Sequence, residues 1–85
     1  MISITLYSRP GCHLCEEMKS VVSRVAALMP IALAEVDISS DPDLERQYGG
    51  EIPVLFVDGR KAAKYRIGED ELIRILAGRS ISPSR

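Results

Sequence analysis

Apolar and polar residues alternate at the start of the chain: Ile2, Ile4 and Leu6 are separated by Ser3, Thr5 and Tyr7, the period-two pattern of a half-buried strand. Ser8-Arg9-Pro10-Gly11 breaks that alternation, and beyond it the period changes. Cys15, Met18, Val21, Val22, Val25, Leu28 and Met29 recur at helical spacing, while Glu16, Glu17, Lys19 and Arg24 fall on other faces. The pattern predicts an amphipathic helix of about 16 to 18 residues that stops near Pro30.

Residues 31 to 38 are apolar except for Glu35 and Asp37 and read as a second strand, which completes a right-handed βαβ unit with parallel strands. Ser39-Ser40-Asp41-Pro42 offers helix-capping residues and a proline suited to a first turn. A short helix over Leu44 to Tyr48 then ends at Gly49-Gly50. Pro53-Val54-Leu55-Phe56-Val57 is apolar on both faces, as a central strand is, with proline tolerated at its head. Asp58-Gly59 signals a hairpin turn into a return strand over about residues 61 to 67, where Arg60, Lys64 and Arg66 would discourage edge-to-edge association. Glu69 to Ala77 reads as a last helix with acidic residues in its first turn. Residues 78–85 show no periodicity and are expected to form a flexible tail.

At 85 residues the chain has room for one domain, expected over residues 1–77, and no internal repeat divides it. A charged fraction of 27% and a hydrophobic fraction of 46% are those of a folded globular chain, not of a disordered one. The net charge of −1 supplies no field that would gather nucleic acid or an anionic membrane, so neither is expected as a partner. No basic leader or long apolar run is seen, and a cytoplasmic location is expected.

That location changes the meaning of Cys12-His13-Leu14-Cys15, which contains both cysteines of the chain. In a reducing compartment a CxxC pair serves catalysis or metal binding more often than permanent cross-linking. Residues three apart on a helical turn have α-carbons roughly 5 to 6 Å apart, within the window of about 4.4 to 6.8 Å that a disulfide tolerates. Cys12 is expected on the opening turn of the first helix, where unpaired amides favour an anion. Lowering a thiol from about 8.5 to about 7 takes roughly 2 kcal/mol of preference for the thiolate, and a helix terminus alone supplies about 0.3 to 1. Direct amide hydrogen bonds must provide the difference. Cys15, one turn further in, suits a resolving thiol.

The order of elements, with Leu6-Tyr7-Ser8-Arg9-Pro10-Gly11-Cys12-His13-Leu14-Cys15, Val36-Asp37-Ile38 and Glu51-Ile52-Pro53-Val54-Leu55-Phe56-Val57-Asp58-Gly59, resembles the glutaredoxin and thioredoxin-like family, most of all its small bacterial glutaredoxin-like branch. The resemblance implies an α/β thioredoxin-like fold, a four-stranded mixed sheet in the order β-α-β-α-β-β-α with three flanking helices. It also implies a nucleophilic Cys12, a resolving Cys15 and a cis Ile52–Pro53 bond beside them, with the backbone of Ile52 pairing with the substrate as an added strand. Arg9 matches the basic residue that glutathione-using members place three positions before the first cysteine. Gly68 and Asp70 match two positions of their Gly-Gly-x-Asp stretch, while Ile67 replaces its first glycine. These positions make glutathione a candidate co-substrate, with a protein disulfide reductase as the other candidate reductant.

The implied activity is thiol-disulfide exchange on a disulfide-containing protein or small molecule by a monomer with no tightly bound cofactor and no metal. His13 could tune the Cys12 thiolate when protonated, or stand as an ordinary exposed helix-start residue. Tyr7, Tyr48 and Tyr65 read as packing or surface residues. Two other functions compete: a metal or iron-sulfur module completed by thiols from outside the chain, and a redox-responsive interaction domain with little turnover.

Overall fold

The computed structural model describes residues 2–81. Four strands and three helices follow one another as β1 (Ile2–Ser8), α1 (His13–Ala26), β2 (Ile31–Asp37), α2 (Pro42–Tyr48), β3 (Val54–Val57), β4 (Arg60–Lys64) and α3 (Glu69–Ile81), with a single 3-10 turn at Ile38–Ser40 before α2. The sheet order is β2-β1-β3-β4, parallel between β1 and β2 and antiparallel elsewhere. This is the expected thioredoxin-like α/β arrangement.

The alternation in β1 decides which face is which. Ile2, Ile4 and Leu6 point into a core shared with Met18, Val22 and Val25 of α1, Leu55 and Val57 of β3, and Leu72 and Leu76 of α3. Burying these side chains contributes about 1.5 to 3 kcal/mol each, which is what holds two helices on one face of so small a sheet. Tyr7 points to the opposite face and stacks on Tyr48 at the end of α2, with ring centroids 4.7 Å apart and Phe56 edge-on to both. The tyrosines thus fasten α2, none of whose residues is fully buried.

Several boundaries differ from expectation, each for a local reason. The first helix ends at Ala26, short of Pro30, because Leu28 and Met29 both donate to the Val25 carbonyl and wind the chain into a tighter turn. Leu28, assigned to the apolar stripe by periodicity, is rotated out and 71% exposed. The second strand is apolar yet mostly exposed, since it lies at the sheet edge. The return strand is shorter than expected: a register shift opposite Leu55/Phe56 disturbs the alternation, and Tyr65 leaves it in a left-handed conformation (φ 69°). Asp58 and Gly59, at φ 51° and 84°, form the mirror-image turn that Asp-Gly favours. The last helix continues through residues 78–81, which were expected in the flexible tail, and residues 82–85 of that tail lie outside the described residues. No helix among the described residues is long and apolar enough to cross a membrane.

Candidate active site

β1 leads straight into the cysteines. Gly11, at φ 79°, makes the turn that a side-chain-bearing residue would resist, and the Cys12 N–H donates back to the Arg9 carbonyl at 3.3 Å. Cys12 then sits one residue outside α1, as its N-cap and not on its opening turn as expected. Its backbone is extended and its Sγ accepts the Cys15 N–H at 3.1 Å. A sulfur thus occupies the place where a serine or aspartate oxygen ordinarily satisfies an orphan amide of the first turn.

Cys12 and Cys15 are joined as a disulfide with their α-carbons 5.2 Å apart. The two sulfurs live in different surroundings: Cys12 is half-buried at the loop, whereas Cys15 is 3% exposed and faces the core with Met18. An outside thiol or disulfide can reach the first far more readily than the second. His13 lies on the solvent side of the helix start, and its Nε2 is 3.0 Å from the Glu17 carboxylate one turn on. It therefore faces Glu17 in the structure.

The antiparallel pairing of Tyr7 with Val54 carries Ile52 and Pro53 to the same end of the sheet at which β1 hands over to Cys12. The Ile52–Pro53 bond is cis, Pro53 is buried and Ile52 half-buried. Tyr65 braces this loop: its N–H donates to the Pro53 carbonyl at 2.9 Å and its hydroxyl to the Gly50 carbonyl at 3.0 Å. Sequence reasoning treated Tyr65 as packing or surface, and nothing in its neighbours announces a brace that depends on a left-handed residue.

The remaining candidates are placed less directly. Arg9 is half-buried and its guanidinium is engaged by both carboxylate oxygens of Glu45 on α2. Gly49, at the end of α2, leaves room for that pair, since a Cβ there would lie 2.5 Å from the Glu45 carbonyl and 2.9 Å from its carboxylate. Ile67 is 8% exposed and belongs to the core, so the bulk that replaces the family's first glycine is used for packing. Gly68 lines a crevice of about 340 Å³ with Leu14, Met18 and Tyr65, and Asp70 is exposed on the first turn of α3. The neighbouring Glu69 pairs with Arg24 of α1, tying the two helices.

Two polar residues not singled out earlier stand behind the cysteines. Ser8 continues the inward row of Ile2, Ile4 and Leu6, is 6% exposed, and donates from Oγ to Glu35 Oε2 at 3.3 Å. Glu35 also accepts from Lys19 Nζ at 3.0 Å, and this hydrogen bond, with the attraction of the same carboxylate, holds the Lys19 ammonium above its usual range. The signal was present as a change of type: the inward rows of β1 and β2 both turn from apolar to polar at the cysteine end of the sheet. Among the described residues no three His, Cys, Asp or Glu side chains gather closely enough to hold a metal ion.

Comparison with known proteins matches this arrangement. The model of the glutaredoxin-like domain family (DUF836) matches residues 3–77. A glutaredoxin-like protein of Dictyostelium discoideum is 33% identical over 79 residues, covering 84% of this chain and 71% of its own length. Among solved structures, target protein XcR50 from X. campestris superposes with a TM-score of 0.76 at 32% identity, covering 88% of this chain and 96% of that one. Chloroplastic thioredoxin z reaches 0.77 at 13% identity, over 94% of this chain and 79% of its own, a likeness of fold alone.

Proposed function

The chain belongs to the glutaredoxin-like domain family, and from that premise we propose that it is a thiol-disulfide oxidoreductase of the cytoplasm. The observation that carries the reading is the asymmetry of the two sulfurs: one held at a helix cap by a backbone amide and open to the loop surface, the other buried one turn behind. In the reduced protein the Cys15 N–H favours a thiolate at Cys12, and the surrounding first-turn amides add to that preference.

The Cys12 thiolate attacks one sulfur of a substrate disulfide, and the other substrate sulfur leaves with the bonding electrons and takes a proton from solvent. Cys15, as thiolate, then attacks Cys12 Sγ. The Cys12–substrate bond breaks, the second substrate sulfur departs as a thiol after protonation, and the Cys12–Cys15 disulfide is left. Two electrons have passed from the dithiol to the substrate. The backbone of Ile52, beside the cis bond to Pro53 at the cysteine end of the sheet, is suited to receive an extended substrate segment.

A protein disulfide reductase fits the site better than glutathione as the source of the returning electrons. Arg9, the residue that would meet a glutathione carboxylate, is engaged by Glu45, and Ile67 fills the core where a backbone approach would need glycine. Coupled turnover of a model disulfide, driven in parallel by thioredoxin reductase and by glutathione with glutathione reductase, tests both parts. Turnover is expected with the first system, to vanish in Cys12→Ser, and a mixed disulfide is expected to accumulate in Cys15→Ser. Wild-type protein that never cycles between dithiol and disulfide would refute the proposal.

A further inference from the structure

The segment that would receive substrate, residues 49–53 between α2 and β3, belongs to no strand or helix, so its placement depends on what grips it from outside. Three hydrogen bonds reach it from β4 and the residue after that strand. Lys61 Nζ donates to the Glu51 carboxylate at 3.0 Å, the Tyr65 N–H to the Pro53 carbonyl at 2.9 Å, and the Tyr65 hydroxyl to the Gly50 carbonyl at 3.0 Å. The anchored residues 50, 51 and 53 bracket Ile52, and two of the three anchors belong to one residue.

Tyr65 is in an uncommon state for an aromatic residue. At φ 69° it occupies the left-handed region, where Cβ crowds the backbone and where glycine or asparagine is the ordinary occupant. Such a conformation persists only where the surroundings over-determine it, and it collects at ligand-binding places. The surroundings that do so are the loop it grips at both ends and Lys64, whose Nζ lies 5.5 Å from the ring centroid. With Leu14 and Gly68 the residue also lines the crevice of about 340 Å³, which thereby reaches the Cys12-His13-Leu14-Cys15 stretch. Glycine would make the same turn without strain; only tyrosine adds the ring and the hydroxyl.

We propose that Tyr65 is a positioning residue that selects substrate: by holding Gly50 and Pro53 it keeps the Ile52 backbone placed for pairing with an extended peptide, so that disulfides carried on peptide segments are preferred to small disulfides without peptide bonds. The inference rests on the thiol-disulfide reading above and deepens it. Its physical basis is preorganisation, since a loop already fixed loses less conformational freedom when a strand is added to it. A small disulfide forms no backbone hydrogen bonds with Ile52 and meets Cys12 without drawing on the brace. Tyr65 takes no proton and no electron in the exchange itself.

Two substrates that share a leaving group separate recognition from chemistry. One is a short blocked peptide whose central cysteine is in mixed disulfide with 2-mercaptoethanol, and the other is 2-hydroxyethyl disulfide. Pre-reduced wild type, Tyr65→Phe and Tyr65→Gly are mixed with an excess of each, and oxidation of the dithiol is timed against substrate concentration, which needs no reductase. Wild type is expected to favour the peptide. Tyr65→Phe removes only the hydroxyl, and its second-order rate with the peptide is expected to fall roughly three- to tenfold further than with the small disulfide, the factor that one hydrogen bond carries. That loss is expected in the half-saturating concentration and not in the limiting rate. Tyr65→Gly should lose at least as much selectivity, although glycine suits the turn better. Hydrogen exchange over residues 49–54 of the oxidised protein, a readout free of turnover, should quicken by a similar factor in Tyr65→Phe. Equal losses on the two substrates, a wild type with no preference for the peptide, or unchanged exchange in Tyr65→Phe would overturn the proposal. A wild type that reacts with neither disulfide is a separate result: it would remove the thiol-disulfide reading and this one with it.

Discussion

Cys12 has two structural duties, closing a disulfide and capping α1, and its replacement by serine or by alanine separates them. Both substitutions abolish the disulfide, whose short loop stabilises the oxidised protein by about 2 kcal/mol on the chain-entropy account. For a domain of this size that corresponds to a fall of roughly 8 to 16 °C in melting temperature when the wild type is reduced. Only alanine also leaves the Cys15 N–H without its cap acceptor, 3.1 Å from Sγ in the native protein. Serine places an oxygen in the same position, so Cys12→Ser should exceed Cys12→Ala in stability by about 0.5 to 2 kcal/mol. Urea unfolding of the two variants and of reduced and oxidised wild type, followed by far-ultraviolet circular dichroism, reads all four values on one scale. Equal stability of the serine and alanine variants would refute the capping geometry, and with it the amide that is held responsible for favouring the thiolate.

Other consequences are simpler to state. Leu72 is fully buried between α3 and the sheet, and Leu72→Ala should cost about 2 to 5 kcal/mol, visible as a drop of at least 8 °C or so in calorimetry. Gly49→Ala should destabilise by about 1 to 3 kcal/mol, because its Cβ meets the Glu45 backbone, whereas Gly50→Ala, with open space around it, should stay within about 0.5 kcal/mol of wild type in the same urea titration. The Glu51 carboxyl is held below its usual 4.5, first by its hydrogen bond with Lys61 and then by that residue's charge. Its folded value lies below its unfolded one, so the pair's stabilisation is present above the usual value and disappears as pH falls through the folded value. Lys61→Met should therefore narrow the difference in stability between neutral and acidic solution, and high salt should do the same to the wild type; an unchanged difference would contradict the assignment.

How much could be read before folding depended on the range of the interaction concerned. The strand pattern of Ile2, Ile4 and Leu6, the helical recurrence from Cys15 to Val25, the Asp58-Gly59 turn and the spacing of Cys12 and Cys15 are local, and each is written in residues that touch or nearly touch along the chain. Local rules also placed a dithiol at a strand-to-helix junction, missing only that Cys12 caps the helix instead of lying inside it. Long-range matters were closed to this kind of reading. Arg9 meets Glu45 across 36 positions, Ser8 meets Glu35 across 27, and Tyr7 stacks on Tyr48, contacts that exist only after α2 has crossed the sheet and β2 has paired with β1. The same apolar letters that announced β2 could not say that it would lie at an edge and stay largely exposed, because exposure belongs to the strand order and not to the strand. The brace from Tyr65 to Gly50 is of this second kind: it spans 15 positions, and only the pairing of β4 with β3 brings the two residues to one place.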